Sequence, residues 1–214
     1  MIRLAPHPFP RYLARPLDVL LGGSPHTAVL RALREASGGE TGRAVARRAG
    51  VDPHSAFRAL ADLERTGLVS RRPVGRAHLF TLNRDRWLWR EILEPAFRAE
   101  AAFRDAVFGR LRDALRGKVA SAVVFGSVAR GEDGVESDID LCLIVDGPAA
   151  KEPAHLRAVA AALAVEREFG RHVTTIVFTR AEFLRRLRAG DTLAASIRSE
   201  GISLTGRDLR ELAA

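Results

Sequence analysis

The chain has 214 residues, 47% of them hydrophobic and 28% charged, which suits one or two folded domains and excludes a disordered tail. Its longest unbroken apolar stretches, such as Ala158–Val165, run only eight residues, whereas a spanning helix needs about 20, so no membrane role is expected. The net charge of +8 points to an anionic partner, of which nucleic acid is the commonest.

Residues 1–23 hold Pro6, Pro8, Pro10 and Pro16, end in Gly22-Gly23 and lack the apolar run of a signal peptide. They read as an irregular arm. Ser24-Pro25 then supplies an N-cap and a proline at the first helical position. Val29, Leu30, Leu33 and Ala36 follow at helical spacing, and Gly38-Gly39 ends the run. Thr41 caps a short second helix with Ala44, Val45 and Ala46 inward, stopped by Gly50. Asp52-Pro53 opens a third, through about Arg65, whose inner face is Ala56 or Phe57, Leu60 and Leu63. Two short helices joined by a Gly-Val-Asp turn describe a helix-turn-helix. Beyond Thr66-Gly67-Leu68-Val69, the runs Ser70–Arg72 and Ala77–Leu82 flank a turn at Val74-Gly75-Arg76 and predict a hairpin with a basic flank.

The words "TGRAVARRAGVDPHSAFRALADLERTGLVSRRPVGRAHLFTLN" in this segment resemble winged-helix regulators of the ArsR and MarR type. The resemblance covers residues 24–84 and implies double-stranded DNA as partner. The third helix would enter the major groove, with His54, Ser55 and Arg58 facing the bases. Arg71, Arg72 and Arg76 on the wing would contact phosphate or the minor groove. Arg43, Arg47 and Arg48 form a solvated or phosphate-facing edge. A winged helix can also serve as a protein–protein module.

Residues 85–117 read as long helix, with Trp87, Leu88, Ile92, Leu93, Phe97, Ala101, Phe103, Val107, Phe108, Leu111 and Leu115 three or four positions apart. Pro95 is expected to kink or divide it. This apolar stripe predicts a linker that builds a homodimer matched to a two-fold DNA site, unless it packs on the chain's own domains.

Residues 118–214 carry the chemistry. Val119–Phe125 is a β-prone run ending at Gly126-Ser127, where the absent side chain lets backbone approach a ligand. The turn that follows begins a helix whose free N–H groups favour phosphate. Asp138 and Asp140 stand two apart at the head of a second apolar strand through Val145, so both carboxylates share a face while Leu141 and Leu143 take the other. Such a pair repels itself unless a divalent cation neutralises it. Mg2+ bound to nucleotide phosphates is the natural candidate. The strand's lone cysteine, Cys142, permits no internal disulfide, which suits the cytoplasm.

The stretch "VVFGSVARGEDGVESDIDLCLIV" closely resembles the minimal nucleotidyltransferases of the DNA polymerase β superfamily, with Gly-Ser, Ala-Arg-Gly and Ser-Asp-x-Asp-Leu at the expected separations. The resemblance implies an α+β domain, an antiparallel or mixed sheet with helices on one side. It implies that Gly126 and Ser127 bind a nucleoside triphosphate and that Asp138 and Asp140 are catalytic and bind Mg2+ or Mn2+. Arg130 and Ser137 would hold phosphates or the loop. The family chemistry also uses a third carboxylate on a later strand. Here the matching position holds Thr174, which neither takes a proton at neutral pH nor ligates magnesium well. His172 shares its face by alternation, and Glu166 and Glu168 precede the strand as solvated helix positions. In the tail, helices are expected over Ala181–Ala189 and Asp191–Ser199, with 201–206 as a short edge segment and Arg185, Arg186 and Arg188 as a charged helix face.

Three readings stay open. The first is a DNA-binding transcription regulator with a nucleotide- and Mg2+-binding, catalytically degenerate domain. The second is an active enzyme moving a nucleoside monophosphate onto a small molecule, protein or RNA, and the third an antitoxin-like module that binds a protein partner. Charge favours the first: residues 1–117 hold 21 arginines against 12 acids, a net of +9, and residues 118–214 hold 13 basic against 14 acidic residues, a net of −1. Genome composition can explain why all but Lys118 and Lys151 of the basic residues are arginine, but not why the excess sits in one half.

Overall fold

In the computed structural model, residues 12–209 are described. Backbone contacts divide them into two units, Ala14–Ala102 and residues 12–13 with 103–209. No helix among the described residues is long and apolar enough to cross a membrane.

In the first unit the capping residues act as their types predict. Helix α1 spans Pro16–Leu20 and α2 Pro25–Glu35, whose first turn is closed by the Ser24 hydroxyl accepting from His26 N–H. The two-residue strand β1, Glu40–Thr41, leads into α3, Gly42–Ala49, where Thr41 Oγ1 accepts from Ala44 N–H and Gly50 ends the helix in the left-handed conformation. Asp52 caps α4, Pro53–Arg65, by accepting from Ser55 N–H at 3.0 Å. Strands β2, Val69–Val74, and β3, Ala77–Leu82, form the hairpin, and β1 adds antiparallel to β3. Val29, Leu33, Val45, Ala56, Leu60, Leu63 and Phe80 fill the shared core. Phe57 is on the exposed side, its ring against Gly42 so closely that any Cβ there would collide.

One expectation for this unit needs correction. Residues 1–23 are not an irregular arm throughout: residues 1–11 lie outside those described, but Pro16 opens a helical turn, its fixed φ starting α1 rather than breaking a helix. The long helix is divided close to Pro95, as that proline predicts. Trp89–Leu93 is a π turn closed by Glu94 N–H on Trp89 C=O, and α5 runs Glu94–Leu115. Pro95 has no N–H to give to the carbonyl of Glu91, so the ladder widens just before it. Of the apolar stripe, Phe97 enters this unit's core and Leu93 packs against it, beside Trp89, which lies off the stripe, while Trp87, Leu88 and Ile92 stay exposed.

An ion triad is buried in the same unit. The Arg31 guanidinium of α2 grips Glu100 of α5 through Nε at 2.9 Å and a second nitrogen at 2.8 Å, and Asp18 of α1 at 2.8 Å. Burial works against the Arg31 charge, but the hydrogen bonds to Glu100 and Asp18 outweigh it and hold the pKa above its ordinary value. Glu100 also accepts from Leu17 N–H at 3.2 Å, tying three helices at one point.

The second unit is a four-stranded mixed sheet, in the order β6-β5-β4-β7. Strand β4 spans Ser121–Phe125, two residues later than expected, and is followed at once by the short helix α6, Gly126–Arg130. Strand β5, Ile139–Val145, runs antiparallel to β4. Helix α7, Lys151–Phe169, crosses over to β6, Val173–Thr179, which is parallel to β5. Helices α8, Arg180–Arg188, and α9, Thr192–Glu200, lead to the edge strand β7, Ile202–Gly206, paired with β4.

The expectation of helices on one side of this sheet is overturned. Ile139, Leu141, Leu143 and Val145 pack with Val107, Leu111 and Leu115 of α5 and Ala154, Ala158, Ala161 and Val165 of α7. Cys142 and Ile144 on the other face pack with Phe183 of α8 and Ala194 and Ile197 of α9. A strand covered on both faces needs apolar residues at every position, which is why Leu141–Val145 shows no alternation.

Thr179 and Glu182 close α8 with a full capping box, Glu182 Oε2 accepting from Thr179 N–H at 2.8 Å and Glu182 N–H donating to Thr179 Oγ1 at 3.1 Å. The Thr179 backbone N–H first, then Lys151 at 2.9 Å, pull the Glu182 carboxyl from 4.5 down to about 2. A lowered pKa means stability that is complete above pH 4.5 and fades as the pH falls through about 2. Glu182→Gln is therefore expected to melt below the wild type at neutral pH, and the gap should close as thermal scans approach pH 2. A gap independent of pH would show that the carboxylate charge contributes nothing.

Candidate functional site

The two aspartates lie where three strand ends meet. Asp140 is paired in register with Phe125, the last residue of β4, and with Thr174 near the start of β6. Asp138 precedes β5 and is exposed; Asp140 is half-buried. Burial first, then the neighbouring Asp138, push the Asp140 carboxyl above its ordinary range, while Arg130 pulls it down. Such a site favours a cation. Gly126, at φ +72°, opens α6 against Asp140, and a Cβ there would collide with Asp140 Oδ2. The Gly-Ser step after β4 is thus required by the carboxylate's approach as well as by the turn. Ser127 follows within α6, half-buried, and its carbonyl accepts from Glu132 N–H at 2.8 Å.

That juxtaposition, a glycine-serine step just after one strand against an aspartate pair at the head of its neighbour, has a counterpart among known families. Residues 108–202 match the family model of the nucleotidyltransferase domain, and residues 27–73 that of the IclR helix-turn-helix domain. The chain joins a helix-turn-helix domain to a nucleotidyltransferase domain. The helix-turn-helix match is to the IclR type and not to ArsR or MarR, a difference that the turn, helix and wing pattern cannot register because winged helices share it. No curated protein matches the chain. Among solved structures, it is similar to human N-acetylserotonin methyltransferase in complex with SAM, at 15% identity and a TM-score of 0.30. That match covers 86% of this chain and 44% of the other, so the chain spans less than half of that structure.

In the nucleotidyltransferase domain, Thr174 stands beside both aspartates, its Oγ1 3.4 Å from Asp138 Oδ2. Among the described residues no group of three or more His, Cys, Asp or Glu side chains comes together that could hold a metal. His172 is exposed and faces Glu166 of α7 at 3.9 Å, and Glu168 pairs with Arg110, so these groups are engaged away from the aspartates. Arg130 bonds Glu132 at 2.7 Å and reaches Glu200 at 3.5 Å, and the Glu132 bond holds it above its ordinary pKa. Ser137 Oγ accepts from Gly134 N–H at 2.9 Å and so braces the loop into Asp138. Arg186 of the tail cluster lies over Phe178 and pairs with Asp191 at 2.7 Å.

Sequence reading missed the residue that holds this loop most firmly. Arg171 is buried and donates to the backbone carbonyls of Gly134, Val135 and Ser137, with its guanidinium 4.8 Å from the Tyr12 ring. Its Nε has no partner among the described residues. Asp133, also buried, accepts from Leu13 N–H at 2.8 Å. No motif marks Arg171, because its partners are main-chain oxygens 34 to 37 residues away.

In the helix-turn-helix domain, His54 and Arg58 are exposed at the start of α4, whereas Ser55 is half-buried and bonded to the capping Asp52. The wing arginines separate. Arg71 pairs with Glu64 at 3.2 Å, while Arg72 and Arg76 project from the hairpin and its turn into solvent. Arg48 is paired with Glu40; Arg43 and Arg47 remain exposed on the same helix.

Proposed function

We propose that the chain is a homodimeric DNA-binding regulator, with residues 24–84 on DNA, 85–117 as linker and 118–214 binding a nucleoside triphosphate with a divalent cation. The observation that carries the regulatory reading is Thr174, a hydroxyl against Asp138 and in register with Asp140 where a third carboxylate would stand. Asp138 and Asp140 are hard oxygen donors that suit Mg2+ or Mn2+, and the destabilised Asp140 carboxylate favours a cation beside it. The ion would neutralise phosphate charge. Gly126 and Ser127 would take the triphosphate, with Arg130 at the same corner. With no base for an attacking hydroxyl, transfer is slow or nil and binding remains, biasing the DNA affinity of the basic unit.

Support for DNA comes from the +9 of residues 1–117 together with the exposure of Arg58, Arg72 and Arg76. Retention of labelled duplex from the protein's own promoter region tests it, across a salt series with and without ATP and Mg2+. Binding should weaken steeply with salt, and Arg72→Ala/Arg76→Ala, present in both copies of the dimer, should lower the log–log slope by about four, roughly one for each phosphate that is no longer neutralised. Retention that ignores salt and these substitutions would remove DNA from the reading.

A further inference from the structure

Helix α7 buries Ala154, Ala158, Ala161 and Val165 against the sheet, so its opposite face should be polar. Instead Leu156 is 62% exposed, Leu163 60% and Val159 39%. Leu156 and Leu163 are two turns apart and stand opposite the buried alanines. In chain order this outer face carries Glu152, Leu156, Val159, Ala160, Leu163 and Arg167. Reversing that order about the midpoint between Val159 and Ala160 exchanges glutamate with arginine and leucine with leucine. Glu152 and Arg167 are both exposed, and neither makes an ion pair among the described residues.

We propose that this face of α7 joins two copies of the chain, packed antiparallel about a two-fold axis. Leu156 of each copy then meets Leu163 of the other, and Glu152 meets Arg167, so one patch satisfies itself twice, as an isologous contact must. Ala160, beside the axis, lets the two helices approach closely. A parallel pairing would set Glu152 against Glu152 and Arg167 against Arg167, so charge selects the antiparallel arrangement. The contact is a single helix pair, smaller than a standard interface of about 1,600 Å2, and its dissociation constant belongs in the micromolar range. The inference rests on the homodimer of the proposed function and names the surface that makes it.

Sedimentation equilibrium of the full chain from about 1 to 100 µM tests it. The wild type should dimerise. Glu152→Arg and Arg167→Glu should each raise the dissociation constant about tenfold, since each puts like charges together twice. The double exchange Glu152→Arg/Arg167→Glu should restore it, and Leu156→Lys/Leu163→Lys should leave monomer. Because all four side chains are exposed, thermal unfolding of each variant at low concentration should match the wild type and certify its fold. A dimer indifferent to every variant overturns α7 as the surface while the homodimer stands. A wild type that is monomeric throughout overturns both.

Discussion

Arg31→Ala is expected to destabilise the helix-turn-helix unit by about 3–5 kcal/mol, because it leaves a buried carboxylate without its counterion. Glu100 is 6% exposed and Arg31 9%, so water cannot replace what the guanidinium supplies. The pair is bidentate, and Asp18 and Leu17 N–H complete the cluster. Both tryptophans, Trp87 and Trp89, belong to this unit, so their fluorescence in a urea titration reads its unfolding apart from the other unit. The companion change Glu100→Gln, which keeps a polar partner without the charge, should cost less. If Arg31→Ala moved the tryptophan-monitored transition by under about 1 kcal/mol, the triad would be no more than a surface ion pair.

Thr174→Asp should create activity. It would set a third carboxylate beside Asp138 and in register with Asp140, restoring the group that the family resemblance calls for. A general base is worth about 10²–10⁴ in rate. Label transfer from an NTP in Mg2+ should therefore rise by about that factor over the wild type and vanish when Asp138→Asn/Asp140→Asn is added. A readout independent of turnover accompanies it. Three carboxylates repel one another more than two, so Mg2+ should raise the melting temperature of Thr174→Asp more than that of the wild type. Wild-type transfer already fast, lost in the double asparagine variant and unimproved by Thr174→Asp, would discard degeneracy in favour of an active transferase.

Much of this fold was legible because its signals are local. Ser24-Pro25, Thr41 and Asp52-Pro53 act within a single turn, and all three open helices where a cap chemistry predicts. The hairpin turn at Gly75-Arg76 is equally local. The carboxylate pair was legible because Asp138 and Asp140 are two apart, and a strand turns that spacing into a shared face. Thr174 was found only through the resemblance; composition and spacing do not mark a threonine. What escaped depends on distant chain. Strand β1 is two residues long and exists by pairing with Leu79 and Phe80. The second helical layer could have been suspected from the unalternating run Leu141–Val145, but its occupants, Phe183, Ala194 and Ile197, come from the tail. The stripe of residues 85–117 was expected to face a second copy unless it packed on the chain's own domains. Phe97, Val107, Phe108, Leu111 and Leu115 take the second course and enter the chain's own cores, while Trp87, Leu88 and Ile92 stay exposed, and periodicity alone cannot tell the two uses apart.

Arg171 grips the loop before Asp138 by carbonyl oxygens, which every residue type possesses. Val135 and Glu136, exposed on that loop, are therefore free to diversify without dislodging Asp138. Side chains at these two positions can drift in chemistry while the main-chain anchor beside Asp138 stays fixed, an arrangement that separates variable surface from inherited geometry.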